Sequence, residues 1–195
     1  SGQEARTKAL LQEFLRAHTS LEILPCGEGF YAAHREENAP KPAIALRADY
    51  DALATLDGGA AHLCGHDGHA ASLCAVALLL EGKAVGRNVF LLFQPAEETF
   101  EGSKNMIEHG ILENPKVDAA LAYHVSPGQM PVGIYMYNST GTMMYSVDGF
   151  HIEIKGKGAH GAYPQNSVDP INIAAHVYFA LQSVIAREAD PSKAC

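Results

Sequence analysis

The stretch Ala43-Ile44-Ala45-Leu46-Arg47-Ala48, followed at once by Asp49-Tyr50-Asp51, decides the fold of this chain. Its first six residues are almost all apolar, as in a strand covered on both faces. Residues 88–93 and 117–123 share that character and predict two more buried strands. Residues 29–34 predict a further strand, joined to 43–48 by a turn rich in Pro and Asn. Between these strands lie helical patterns. Residues 69–81 predict a helix capped by Asp67 or Gly68 and closed by Gly82, apolar nearly all round and therefore buried. Residues 103–109 predict a short helix stopped by Gly110. At the N-terminus, Ser1-x-x-Glu4 reads as a capping box. The helix it opens runs to about Ala17, with Ala9, Leu10, Phe14 and Ala17 as its apolar stripe. Helix alternating with strand implies an α/β sheet with helices on its faces.

The texture changes from about Val132. Phe150, Ile152 and Ile154 alternate with His151, Glu153 and Lys155, predicting a strand with one wet face. A glycine-rich turn follows, then a helix with Asp169 as cap and Pro170 at its first position. Ile171, Ala174, Ala175, Tyr178, Leu181 and Ile185 fall on one side of it. A domain boundary is expected at 145–149, dividing the chain into 1–146 and 147–195.

The composition is that of a globular core-former: 47% of the 195 residues are hydrophobic and 18% charged. Fourteen basic against 22 acidic residues give a net charge of −8, which disfavours nucleic acid and anionic membrane as partners. No apolar run approaches the roughly 20 residues that span a bilayer. Ser1-Gly2-Gln3-Glu4 does not read as a signal peptide. Four cysteines do not make a disulfide scaffold in a chain of this size. The outlier is the histidine content: ten in all, with His62, His66 and His69 within eight residues.

Several polar clusters sit where predicted strands end, at the edge where open α/β sheets collect ligands. Asp49 and Asp51 follow the second strand, Glu97 and Glu98 follow 89–94, and His124 follows 117–123. In Cys64-Gly65-His66-Asp67-Gly68-His69, a thiol and an imidazole two residues apart can reach one metal. The same residues also suit a helix-capping loop with a buried Cys and a solvated His. No second Cys/His pair has zinc-finger spacing. The carboxylates nearby would raise the thiol pKa, which argues against a Cys–His nucleophile. Glu97-Glu98 suits a solvated loop, or a metal ligand beside a general base. His124 suits a hydrogen-bonded core histidine or a ligand. His160, in Gly156-Lys157-Gly158-Ala159-His160-Gly161, suits an exposed turn or a group presented to a carbonyl oxygen. Cys74, inside an apolar helix, reads as core. His62 and His69 flank the metal motif, where a place behind the ligands is open to them but nothing in the sequence supports it.

The order of these motifs resembles the aminoacylase-like metallopeptidases over nearly the whole chain. The matching runs are 46–53, 62–69, 93–98, 123–125, 156–162 and 168–171. The nearest branch holds the amidohydrolases: hippurate hydrolase, N-acetyldiaminopimelate deacetylase and the plant indole-acetyl-amino-acid hydrolases. The resemblance implies a zinc-exopeptidase-like sheet with helices on both faces, plus the start of an inserted α+β lid that dimerises. It implies a centre for two divalent transition metals (Zn, Mn, Ni or Co) held by Cys64, His66, Glu98 and His124, with Cys64 as bridge. It further implies Glu97 as general base, His160 as the lid histidine that polarises the substrate carbonyl, and Asp51 as a carboxylate behind the ligands. The expected reaction is hydrolysis of the amide bond of an N-acyl amino acid in a cytoplasmic homodimer. The alternatives are a dipeptidase or carboxypeptidase of the same family, or an inactive metal-binding fragment. Cys64 favours the first, because aspartate is the usual bridge in the peptidase branches. The family pattern carries a His-Pro-Glu-Leu stretch before this chain's start and one further ligand histidine after its end, so the chain is expected to be incomplete.

Overall fold

A computed structural model of the chain describes residues 1–114, 116–126, 131–141, 143 and 149–188. The chain forms two compact units, Ser1–Met130 and Pro131–Cys195. The boundary expected at 145–149 falls largely on residues 145–148, which lie outside the described residues, as do 189–195.

The first unit runs α1 (Ala5–His18), β1 (Glu22–Cys26), β2 (Gly29–His34), β3 (Ile44–Asp49), β4 (Leu53–Ala54), β5 (Ala60–Ala61), α2 (His66–Leu80), β6 (Val89–Gln94), α3 (Glu101–Glu108) and β7 (Ala119–Ala122). Five strands make one sheet in the order β1-β2-β6-β3-β7, and β4 pairs with β5 in a small hairpin. β1/β2 and β2/β6 are antiparallel, whereas β3 runs parallel to both β6 and β7. Strand alternation divides the core between the two sheet faces. Phe30, Ala32, Val89, Leu91 and Phe93 face α1 and α2, where they meet Leu15, Leu73 and Ala77. Tyr31, Ala33, Ala45, Phe90 and Leu92 face the other way, against Met106 of α3 and Ile111. Helices therefore cover both faces. The Phe30 and Phe93 rings stack at 4.6 Å across neighbouring strands.

Several expectations need correction. The capping box does not form: Glu4 occupies the N-cap without a side-chain cap bond, and Ser1 Oγ instead donates to Asp51. β1 carries no strand signal in the sequence because Pro25 interrupts it; the pairing survives because β1 is an edge strand, where a missing N–H is tolerated. α2 begins three residues earlier than expected. Gly65 caps it at φ +84°, a left-handed conformation, and a Cβ there would collide with the Val125 side chain. α2 also exposes Leu78 and Leu79. β7 is an edge strand with all four residues exposed, not the buried strand its apolar run suggested.

In the second unit, Asp169 caps α4 (Pro170–Arg187) as expected, accepting from the N–H groups of Ile171 and Asn172. The strand expected at 150–154 does not form; among the described residues its alternation finds no partner strand, and only the bridge Lys157–Val168 follows it. Ile171, Tyr178 and Leu181 on α4 are exposed. No helix among the described residues is long and apolar enough to cross a membrane.

Phe93 is fully buried and Leu79 is 63% exposed. Phe93→Ala is expected to cost about 3–5 kcal/mol, and Leu79→Ala no more than about 0.5 kcal/mol, in urea unfolding followed by circular dichroism.

Candidate metal centre

Because β3, β6 and β7 are parallel, their carboxyl ends share one edge of the sheet. Asp49 ends β3 and Asp51 follows it; Glu97 and Glu98 follow β6; His124 follows β7. The first turn of α2 supplies His66 and His69, and Cys64 stands just before its cap. Two non-glycine residues in left-handed conformation bracket the glutamates, Ala96 at φ 48° and Phe100 at φ 60°. Such backbone is costly and persists where its surroundings over-determine it. Here Gly102 N–H donates to the Ala96 carbonyl, and Phe100 N–H to that of Glu97. Gly102 is required at this close approach, since a Cβ would overlap the Pro95 carbonyl oxygen.

The donor atoms converge on His66. Its Nδ1 donates to Asp51 Oδ1 at 2.9 Å, deep in the unit. That leaves Nε2 with the free lone pair, 3.8 Å from Glu98 Oε1 and 3.9 Å from Glu97 Oε2. Across the site, Cys64 Sγ lies 3.4 Å from His124 Nε2. The donor atoms of Cys64, His66 and His124 lie within 4.8 Å of one another, as do those of His66, Glu97 and Glu98. The geometry thus brings together Cys64, His66, Glu97, Glu98, His124 and Asp51. His160 belongs to the second unit, where its ring accepts from Ala162 N–H and lies 5.9 Å from the Tyr163 ring.

Burial pushes the Asp51 carboxyl toward the neutral form. Hydrogen bonds from Ser1 Oγ, Glu98 N–H and His66 outweigh this and hold it below the ordinary carboxylate range. Cys64 goes the other way: burial raises the thiol first, and the carboxylates of Glu98, Glu97 and Asp49 raise it further. Burial alone pushes Cys74 up to about 11, consistent with its place in the core.

The residues fit a metal centre. His66 Nε2 and Glu98 Oε1 are buried without a hydrogen-bond partner among the described residues. Buried polar atoms are normally satisfied, and a cation between them satisfies both. Thiolate, imidazole and carboxylate together suit divalent transition metals. A carboxylate behind a ligating imidazole, as Asp51 stands behind His66, fixes the tautomer that such binding needs.

Two further residues carry more than the sequence suggested. Asp49 and His69 are both buried and meet at 2.6 Å. Arg47 in β3 pairs with Asp49 at 2.7 Å and donates to Gln94 Oε1 at 2.8 Å. A lone arginine in an otherwise apolar strand, two residues before an aspartate, was the available signal.

Residues 45–192 match Peptidase family M20/M25/M40, and the chain belongs to that family. It is 38% identical to the N-acetyl-L-cysteine deacetylase of Bacillus subtilis, in an alignment covering 98% of this chain and 48% of that protein. It is 39% identical to the hippurate hydrolase of Campylobacter jejuni, covering 76% of this chain and 41% of that protein. Among solved structures, a Bacillus subtilis protein described as a dinuclear metal-binding peptidase of the M20 family aligns with a TM-score of 0.57 and 32% identity. That match covers 64% of this chain and 38% of the other. The chain spans about half the length of the curated relatives it matches, or less.

A raised thiol pKa means that Cys64 is protonated at neutral pH in metal-free protein. Its alkylation by iodoacetamide at pH 7, followed by mass spectrometry of the Cys64 peptide, should be slower than that of free cysteine. The rate should keep climbing with pH above the ordinary thiol range. Faster alkylation than free cysteine at pH 7 would contradict the assignment.

Proposed function

We propose that the protein hydrolyses the amide bond of N-acyl amino acids, using Glu97 to deprotonate the attacking water. The observation that carries this reading is the convergence of Cys64, His66, His124 and two glutamates around the unpartnered Nε2 of His66, in a chain of the M20 family. The names of the similar deacetylase and hippurate hydrolase favour small acylated amino acids over peptides as the substrate class.

Cys64, His66, Glu98 and His124 would hold two divalent metals. Zinc, manganese, nickel and cobalt all suit this donor set. When bound, such metals bring the pKa of a coordinated water toward about 7 and share the charge that develops on the substrate oxygen. The glutamates divide their roles by position. The Glu98 side chain is the less exposed of the two, its N–H is tied to Asp51 at 3.1 Å, and its Oε1 is unpartnered. Those features suit a ligand. The Glu97 carboxylate is more open, yet lies within 3.9 Å of His66 Nε2. That leaves it free to take the proton of the attacking water and pass it to the leaving amine. His160, on the second unit, would donate toward the developing oxyanion and add to its stabilisation.

We further propose that residues 147–195 open a lid and that a homodimer forms through that lid. A cytoplasmic location is part of the proposal, supported by the unpaired thiols of Cys26, Cys64 and Cys74.

Hydrolysis of hippurate and N-acetyl amino acids, measured against a dipeptide panel, tests the substrate class. Faster turnover of dipeptides would favour a peptidase. In the protein carrying this chain, Glu97→Gln should lower turnover by about 10²-fold or more while metal content by elemental analysis stays near wild type. Loss of metal instead would mean that Glu97 and Glu98 have exchanged roles.

A further inference from the structure

His69 sits in the first turn of α2 with both ring nitrogens engaged. The Val125 N–H points at its Nε2 at 3.0 Å. A backbone amide can only donate, so Nε2 is an acceptor and the ring proton lies on Nδ1. Nδ1 therefore donates to Asp49 Oδ1 at 2.6 Å. Asp49 is held in turn by Arg47 through its other oxygen, at 2.7 Å. Donors thus run from the Val125 amide through His69 to Asp49, where Arg47 meets the same carboxylate from the other side.

The Val125 peptide matters because it orients His124. The Val125 carbonyl accepts from His124 Nδ1 at 2.6 Å, which leaves His124 Nε2 with a free lone pair facing Cys64 Sγ. Both backbone polar groups of Val125 are thus fixed, one by His69 and one by His124. The two rings lie edge to face with centroids 4.7 Å apart. Gly65 closes the arrangement from the other side, leaving no room for a Cβ against Val125.

We infer that His69 is a positioning residue which, backed by Asp49 and Arg47, holds the Val125 peptide so that His124 presents Nε2 toward Cys64. Its consequence for metal binding rests on the centre proposed above. His69, Asp49 and His66 also lie close enough to form a ligand group of their own. The engaged lone pair of His69 excludes it as a ligand in this arrangement, because Nε2 cannot accept from Val125 and coordinate at once.

Two measurements test this. Long-range ¹H–¹⁵N correlation spectra of metal-free, ¹⁵N-labelled protein should show His69 and His124 both as Nδ1–H tautomers. His69 as the Nε2–H tautomer overturns the inference, whatever the metal chemistry. Titration with Co(II), followed by the thiolate charge-transfer absorption, reads the consequence. His69→Leu should weaken binding by about 10–100-fold, the usual effect of losing an outer partner. His69→Gln, whose Oε1 can accept from the Val125 N–H, should recover most of that loss, with wild-type stoichiometry in both variants. Wild-type affinity in His69→Leu overturns the inference. Loss of one Co(II) per chain in both variants makes His69 a ligand and also overturns it. Wild-type protein that takes up no Co(II) overturns the metal centre itself, and the tautomer spectrum still decides the positioning role.

Discussion

The structure turns on one buried carboxylate. Asp51 accepts from His66 Nδ1 on one oxygen at 2.9 Å and from the Glu98 N–H on the other at 3.1 Å. These two bonds tie the exit of β3 to the start of α2 and to the exit of β6. A charged group this deep is tolerated only when hydrogen bonds replace its lost water. The bonds that satisfy Asp51 also set the tautomer of His66. The electrostatic need of one residue therefore fixes the orientation of the atom on which the other donors converge.

Asp49 repeats the device two residues earlier in the chain. It takes His69 on one oxygen and Arg47 on the other. The two aspartates lie around the last residues of one strand, and each backs a histidine one helical turn from the other's. The spacing of His66 and His69, three apart on α2, places both rings on one side of the helix, 5.5 Å apart. A β-strand end and a helix start are rigid elements, so both imidazoles are aimed by scaffold rather than by loop. The glutamates are held differently, in a tight turn between two left-handed residues, where backbone strain is spent to bring two like charges to the sheet edge.

The sequence was legible where local chemistry and tertiary role agree. β2, β3 and β6 read correctly because buried strands need continuous apolar runs. α4 read correctly because Asp169 and Pro170 form a complete start signal. Cys64, His66, Glu97, Glu98 and His124 could be nominated because each sits at a predicted strand end or helix opening. The failures have physical causes. Pro25 hides β1, since edge position is invisible in a linear chain. The apolar run of β7 mimics a buried strand although all four residues are exposed. Phe150, Ile152 and Ile154 alternate like a strand, but alternation specifies a face and does not supply a partner. A supporting role for His69 was open but unsupported in the sequence, because its partners, Asp49 and Val125, are 20 and 56 residues away.

By itself, the sequence determined the α/β class and nominated polar side chains at strand ends and at one helix opening as candidates for a metal site. These follow from periodicity, capping chemistry and residue type, which are local. Only the tertiary structure decided which nitrogen of each histidine is free, which glutamate lies deeper, and that α2 begins at His66 behind a left-handed Gly65. Those outcomes depend on hydrogen bonds between residues far apart in the chain, whose geometry exists only once the sheet has aligned β3, β6 and β7.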